Sequence, residues 1–201
     1  VGLWVHSPAK VGKDAGELCG LGPVGVKATN KVDDIVALKA DCVLYMQQDY
    51  SIDDVCRILA SGTNIVTTRP EFHHASWLKP ADRARIEEAC RKGNSSIHAT
   101  GSSPGFITEA LPIVLTSLQR RLDSVVIDEF ADLTSRNSPE LLFNIMGFGQ
   151  PPAELNEHRL SHLRTHFGSS LTALSDALSI PLDSVDVKGE AATVLRRTEI
   201  A

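Results

Sequence analysis

What the 201-residue chain lacks narrows it first. No apolar run approaches the ~20 residues that a bilayer-spanning helix needs. The first residues carry no charged segment followed by an apolar one, so neither a membrane span nor a secretory leader is expected. Its 20 Lys and Arg nowhere form a block, and 25 Asp and Glu bring the net charge to -5 and the pI to about 5.8. A nucleic-acid surface needs clustered cations, so no nucleic-acid partner is expected. There is no C-x-x-C pair. Cys19, Cys42, Cys56 and Cys90 are scattered, and Cys42 and Cys56 fall in apolar-periodic runs, so they read as small reduced core residues of a cytoplasmic protein. Internal repeats and low-complexity tracts are missing too. The chain opens without Met, inside the apolar run of residues 1–5, and stops inside the β-prone run 192–200, so both ends read as cuts.

What is present is an alternation of short apolar runs and helical periodicity. Residues 1–6 read as a buried strand, and Ser7-Pro8 as the start of a helix through Lys13 to Leu18. Residues 20–25, Gly-Leu-Gly-Pro-Val-Gly, match G-x-G-x-x-G, but that motif needs a strand before it and a helix after it. Here the order is reversed, and the segment reads as a helix stop and a turn. Helical spacing follows at 32–38, a strand at 41–46, a helix at 52–60 with Ser51 as N-cap and Gly62 beyond its end, and a strand at 64–68. A loop, 69–79, leads to a helix at 80–91 that opens on Pro80 and stops before Gly93. Strands alternating with helices at this pace imply βαβ units and a parallel sheet.

The whole is organised around residues 95–112, Ser-Ser-Ile-His-Ala-Thr-Gly-Ser-Ser-Pro-Gly-Phe-Ile-Thr-Glu-Ala-Leu-Pro. They read as strand, tight turn and helix. Ser102 and Ser103 sit where N-cap hydroxyls belong, Pro104 suits a first helical turn, and Gly105 lets a ligand approach the backbone. The stretch is either a well-capped helix or a site at the carboxyl edge of the sheet, with Ser102, Ser103, Gly105 and Phe106 on the substrate. Beyond it a helix runs to Leu118, and a polar loop at 132–138 and a short helix at 141–146 follow. A long amphipathic helix at 157–178, broken near Gly168, leads to a strand starting at 182. The reading is two partial domains, 1–103 and 104–201, the second of mixed α+β character.

Three stretches carry a resemblance: Pro8-Ala-Lys-Val-Gly-Lys-Asp-Ala-Gly-Glu-Leu18, Leu21-Gly-Pro-Val-Gly-Val26 and Gly101-Ser-Ser-Pro-Gly-Phe106. Together they resemble the 2,4-diaminopentanoate dehydrogenase family, whose wider group includes dihydrodipicolinate reductase. The resemblance implies an α/β fold: a Rossmann-type parallel sheet lacking its first strand and glycine loop, followed by a partial second domain. It also implies an NAD(P)-dependent oxidoreductase acting on the carbon–nitrogen bond of a small amino acid, and a homo-oligomer. The chain departs from dihydrodipicolinate reductase in the stretch Asp128-Glu-Phe-Ala-Asp-Leu-Thr-Ser135, which holds neither histidine nor lysine where that enzyme carries both.

Candidate residues follow from position. An Asp or Glu after the second strand of a dinucleotide fold holds the 2′-hydroxyl of NAD. This chain has His6 and Ser7 there, with Lys10 and Lys13 beyond. Cations in a first helical turn oppose the helix dipole, so either an anion such as the 2′-phosphate of NADP balances them or they are merely solvated. Tyr45, Met46, Thr67 and Thr68 end strands at the same edge and could hold the nicotinamide ribose or carboxamide. Glu71, His73 and His74 form either a plain surface loop or a catalytic one, in which a histidine moves a proton to or from the amine while Glu71 binds its ammonium. If catalytic, that loop is expected to meet residues 102–106 at the sheet edge. His158, His162 and His166, spaced i, i+4, i+8, could bind a metal but lack the Glu of H-E-x-x-H and compete with the apolar stripe Leu160, Leu163 and Phe167, so no metal is expected. Rival readings are an inert nucleotide-binding or oligomerising module and, from the helix histidines alone, a metal hydrolase.

Overall fold

The computed structural model describes residues 1–47, 49–149 and 157–190, with the side chain of residue 158 outside it. The β-prone run at 192–200 and the three-histidine spacing that needs His158 therefore lie outside the described residues. The chain divides into two compact units, Val1–Gly101 and Ser102–Ala201.

The first unit alternates strands and helices in the expected order: β1 (Leu3–Trp4), α1 (Ala15–Leu18), β2 (Ala28–Thr29), α2 (Val32–Ala37), β3 (Cys42–Tyr45), α3 (Ile52–Ala60), β4 (Asn64–Thr67), α4 (Pro80–Gly93) and β5 (Ile97–Ala99). Every pairing between these strands is parallel. β3, β4 and β5 form one three-stranded piece, with Tyr45 opposite Thr67 and Thr67 opposite Ala99. β1 and β2 form a second piece, and no ladder joins the two among the described residues. The break falls between β1 and β3. In the strand order 3-2-1-4-5-6 of a dinucleotide fold that is the place of the first strand, so the sheet is Rossmann-type with its central position open. Trp4 and Tyr45 reach across it, ring centroids 5.9 Å apart, edge to face.

The core forms because α3 carries Val55, Ile58 and Leu59 at i, i+3, i+4 spacing, all at most 1% exposed. They pack with Ile65 of β4, Tyr45 of β3 and Ile86 and Ala89 of α4. Ser51 caps α3 as expected, its Oγ accepting the Asp54 N–H at 3.2 Å, a bond of the kind that contributes about 1 kcal/mol. Gly93 does not stand beyond α4 but closes it, and Asn94 takes the left-handed cap at φ 49°. The reason is packing: a Cβ on Gly93 would sit 1.8 Å from the Leu59 carbonyl oxygen, so glycine lets α4 press on α3.

Two expectations for this unit fail. The helix expected from Pro8 through Leu18 is a 3-10 turn, Pro8–Lys10, followed by a short strand-like segment and the one-turn α1. Residues 12–15 run beside β2 instead, with the Gly12 N–H on Ala28 O and the Ala28 N–H on Lys13 O, both at 2.8 Å. Cys42 lies exposed on β3, as Cys19 does just after α1, whereas Cys56 and Cys90 are half-buried; all four are free thiols. Burial pushes the Cys56 and Cys90 thiols up, which keeps them protonated.

The second unit holds helical segments and loops. The Ser102–Ala110 segment turns sharply through the non-helical Ser103, Pro104 and Gly105 before it leads into α5 (Leu111–Thr116), Glu140–Ile145 is a wide-turn helix, and α6 (Glu157–Leu178) runs unbroken through Gly168. α6 packs on the Ser102–Ala110 segment and on α5. The strand expected from residue 182 does not form among the described residues. A strand persists only where a neighbour satisfies its backbone, and no backbone hydrogen bond joins residues 120–132 or 181–190 to other described residues. No helix of the described residues is long and apolar enough to cross a membrane.

Candidate functional site

Parallel strands collect the ends of β1 to β5 on one edge, where open α/β sheets bind ligands. At the end of β1, Val5 is still tied to β2 through its N–H on Thr29 O, and His6, Ser7 and Lys10 then emerge exposed. The Ser7 hydroxyl caps nothing, and three residues of 3-10 helix carry no useful dipole, so the helix-dipole argument for an anion lapses. A different one replaces it. Lys10, Lys13, Lys27 and Lys31 are all exposed and none holds an ion pair among the described residues. Lys31, just past β2, was hidden in the sequence because nothing there says that β2 returns beside β1.

The G-x-G-x-x-G stretch is occupied from within. The Asp14 carboxylate accepts the N–H groups of Gly16, Val24 and Gly25, each at 2.8 Å. These are the amides a phosphate would need, so residues 20–25 are no pyrophosphate cradle. The same bonds, Val24's foremost, hold the Asp14 carboxyl below its ordinary value. A depressed folded value means that the stabilisation is present above the unfolded pKa of about 3.9 and is lost as pH falls through the folded one. Asp14→Asn should therefore lower Tm at neutral pH, and the gap from wild type should close on acidification below about pH 3.9, read by circular dichroism. A gap independent of pH would assign the effect to something other than the charge.

At the end of β3 and β4 the four expected contacts divide in two. Tyr45 is 1% exposed, its phenol oxygen accepts the Ser51 N–H at 3.1 Å, and burial pushes its pKa up. Thr67 is fully buried, its Oγ1 donating to Tyr45 O at 2.7 Å and accepting the Arg69 N–H at 3.1 Å. Both side chains, expected at the cofactor, are buried in the core. Periodicity could have warned of this, since both point to the α3 face. Met46 and Thr68 remain at the edge, touching through Thr68 Oγ1 and Met46 Sδ at 3.4 Å.

The loop after β4 is ordered by two 3-10 turns, Pro70–Phe72 and Ala75–Trp77. Glu71 binds Arg69 with both oxygens, at 3.1 Å to Nε and 2.5 Å to Nη2. The two side chains are only 18% and 21% exposed. Glu71, expected to bind an ammonium, here anchors Arg69, whose guanidinium lies 5.2 Å from the Tyr50 ring centroid. The signal in the sequence for Arg69 is R-x-E at a strand end. The ring nitrogens of His73 are shielded from solvent. The His74 Nδ1 accepts the Ser76 N–H at 3.3 Å and meets Ser76 Oγ at 2.7 Å, and Ser76 itself is exposed. A neutral ring so held carries its proton on Nε2.

In the second unit, Ser102 and Ser103 are not N-caps, and Pro104 is not in a helical turn. Ser103 and Pro104 are extended, joined by a cis peptide bond, and Gly105 has φ 126°, ψ -98°. The Ser103 hydroxyl donates to Glu129 at 2.5 Å. Gly105 is buried and its N–H is used by Thr108 Oγ1 at 2.9 Å, so the amide expected to face a ligand faces inward. Ser102 is exposed, and Phe106 is 56% exposed. Among the described residues no group of histidine, cysteine and acidic side chains is arranged to hold a metal.

No protein-family model matches the chain. It is 29% identical over 190 residues to an amine dehydrogenase of Streptomyces virginiae, an alignment that takes in 90% of this chain and 52% of that protein. The structure of amine dehydrogenase from Mycobacterium smegmatis matches with a TM-score of 0.62 at 20% identity, over 92% of this chain and 56% of that one. At that identity the second likeness is one of fold. The chain spans about half the length of the relatives it matches.

Proposed function

We propose that this chain is part of an NAD(P)-dependent oxidoreductase of the amine dehydrogenase type, acting on the C–N bond of a small amine or amino acid. The carrying observation is the likeness to an amine dehydrogenase over 90% of the chain, on a parallel sheet whose ends present a basic edge beside β1 and a histidine loop after β4. The narrower resemblance to 2,4-diaminopentanoate dehydrogenase fits the same reaction class and makes an amino acid the first substrate to try. A nicotinamide coenzyme, when bound, would accept the hydride from the amine carbon.

The chain's own part follows from charge and geometry. His6, Ser7 and Lys10, with Lys31 beside them, make a cationic edge that suits the 2′-phosphate of NADP better than a free hydroxyl. Met46 and Thr68 would line the nicotinamide end. The proton that the amine nitrogen gives up as the C=N bond forms passes to His74 Nδ1 through the Ser76 hydroxyl, 2.7 Å from it; in the second unit, taken by itself, the exposed Ser102 and Phe106 are the residues offered to the substrate. The protein works as a homo-oligomer in this reading.

The deciding experiment is turnover by a full-length preparation against a panel of small amines and amino acids, with NADP and NAD in turn, followed by the absorbance of the reduced coenzyme. Activity on none, despite tight coenzyme binding, would favour the inert nucleotide-binding module. Coenzyme choice supplies a second arm. Ser7→Asp sets a carboxylate against the 2′-phosphate and should move the NADP/NAD ratio of kcat/KM at least about tenfold towards NAD. An unchanged ratio would remove His6, Ser7 and Lys10 from the ribose site.

A further inference from the structure

The second unit buries hydroxyls where a small core usually holds apolar side chains. Thr108 is 6% exposed and Ser170, on α6, is fully buried. They form a line. The Gly105 N–H donates to Thr108 Oγ1 at 2.9 Å, and Thr108 Oγ1 lies 2.7 Å from Ser170 Oγ. The line ends on the one residue of the loop whose backbone, at φ 126°, ψ -98°, no L side chain favours. On the other side of that residue the Ser103 hydroxyl is fixed to Glu129. A turn pinned at both shoulders leaves its next residue, Phe106, projecting into solvent instead of folding back on the core.

An apolar pair in place of Thr108 and Ser170 would fill the space but would hold no amide. Buried hydroxyl networks are directional, and a buried N–H without its acceptor is costly, so this pair selects one loop conformation over its neighbours. We propose that Thr108 and Ser170 are positioning residues that hold the Gly105 turn so that Phe106 stands ready for the apolar carbon skeleton of the substrate amine. The first half stands on the unit's own geometry, and the second rests on the amine-oxidising reading above.

The test uses the full chain and, for kinetics, a full-length preparation. Thr108→Val and Ser170→Ala should each speed hydrogen exchange at the Gly105 and Phe106 amides by about tenfold or more, with the amides around Leu174 unmoved. Thr108→Ser, which keeps the oxygen, should exchange like wild type. In turnover, the first two variants should raise KM for the amine about tenfold while kcat and the KM for coenzyme hold, and Thr108→Ser should restore wild-type values. Should Thr108→Val fail to fold, Ser170→Ala carries the test, because it removes one oxygen and installs the better helix former. Unchanged exchange in Ser170→Ala would overturn the relay. Faster exchange with an unmoved amine KM would overturn the positioning role. If the wild type turns over no amine, the functional reading fails, and the exchange arm still decides whether the two hydroxyls hold the turn.

Discussion

His74→Ala in a full-length preparation should lower kcat by about 10²–10⁴-fold, with little change in the KM for amine or coenzyme and a flatter pH–rate profile. The size follows from the role: oxidation of an amine to an imine leaves a proton on nitrogen that must go to a placed acceptor as the hydride departs. Geometry separates the two histidines, which the sequence could not. The nitrogens of His73 are shielded from water, whereas the Nδ1 lone pair of His74 meets the hydroxyl of the exposed Ser76, which can pass a proton to it. His73→Ala should accordingly lose stability before it loses rate. A tenfold or smaller loss in kcat at His74, or an equal loss at both, would return the loop to a structural role.

The regular elements of the first unit were legible because local signals agree there. The i, i+3, i+4 stripe of Val55, Ile58 and Leu59, the Ser51 cap and the apolar run of β4 each point to one state, and the packing confirms all three. Reading failed where a side chain at a distance takes over a local job. Pro8 promised a helix, but pairing of residues 12–15 with β2 offers those amides a better partner, and Asp14 caps α1 from the residue before it. Tyr45 and Thr67 sat at the right edge yet on the buried side of their strands, a parity that only the position of α3 fixes. Glu71 passed for a free carboxylate because its partner, two residues earlier, became one only through the turn at Pro70. At residues 102–106 the serines and the proline imitate a helix start. What organises the turn is Thr108 from ahead and Ser170 from far along the chain.

Gly105→Val should be the most damaging single change in the second unit, and for a different reason from the one its sequence invited. In the sequence alone, Gly105 reads as an opening through which a ligand nears the backbone. In the fold its amide points inward and its φ of 126° with ψ of -98° is a conformation that a β-branched residue cannot hold without strain of about 3 kcal/mol. For a chain of this length that corresponds to a Tm lower by about 6–12 °C, before any cost of seating two methyls in a buried position. A mirror-image substitution separates the two reasons. D-alanine, introduced by peptide ligation, prefers positive φ and should restore stability, because the mirror of this backbone pair lies in the ordinary β region for an L residue. If stability returns and amine turnover returns with it, the glycine serves the shape of the turn alone. Should stability return while turnover stays lost, the space beside Gly105 belongs to the substrate, and the close-approach reading is reinstated beside the conformational one.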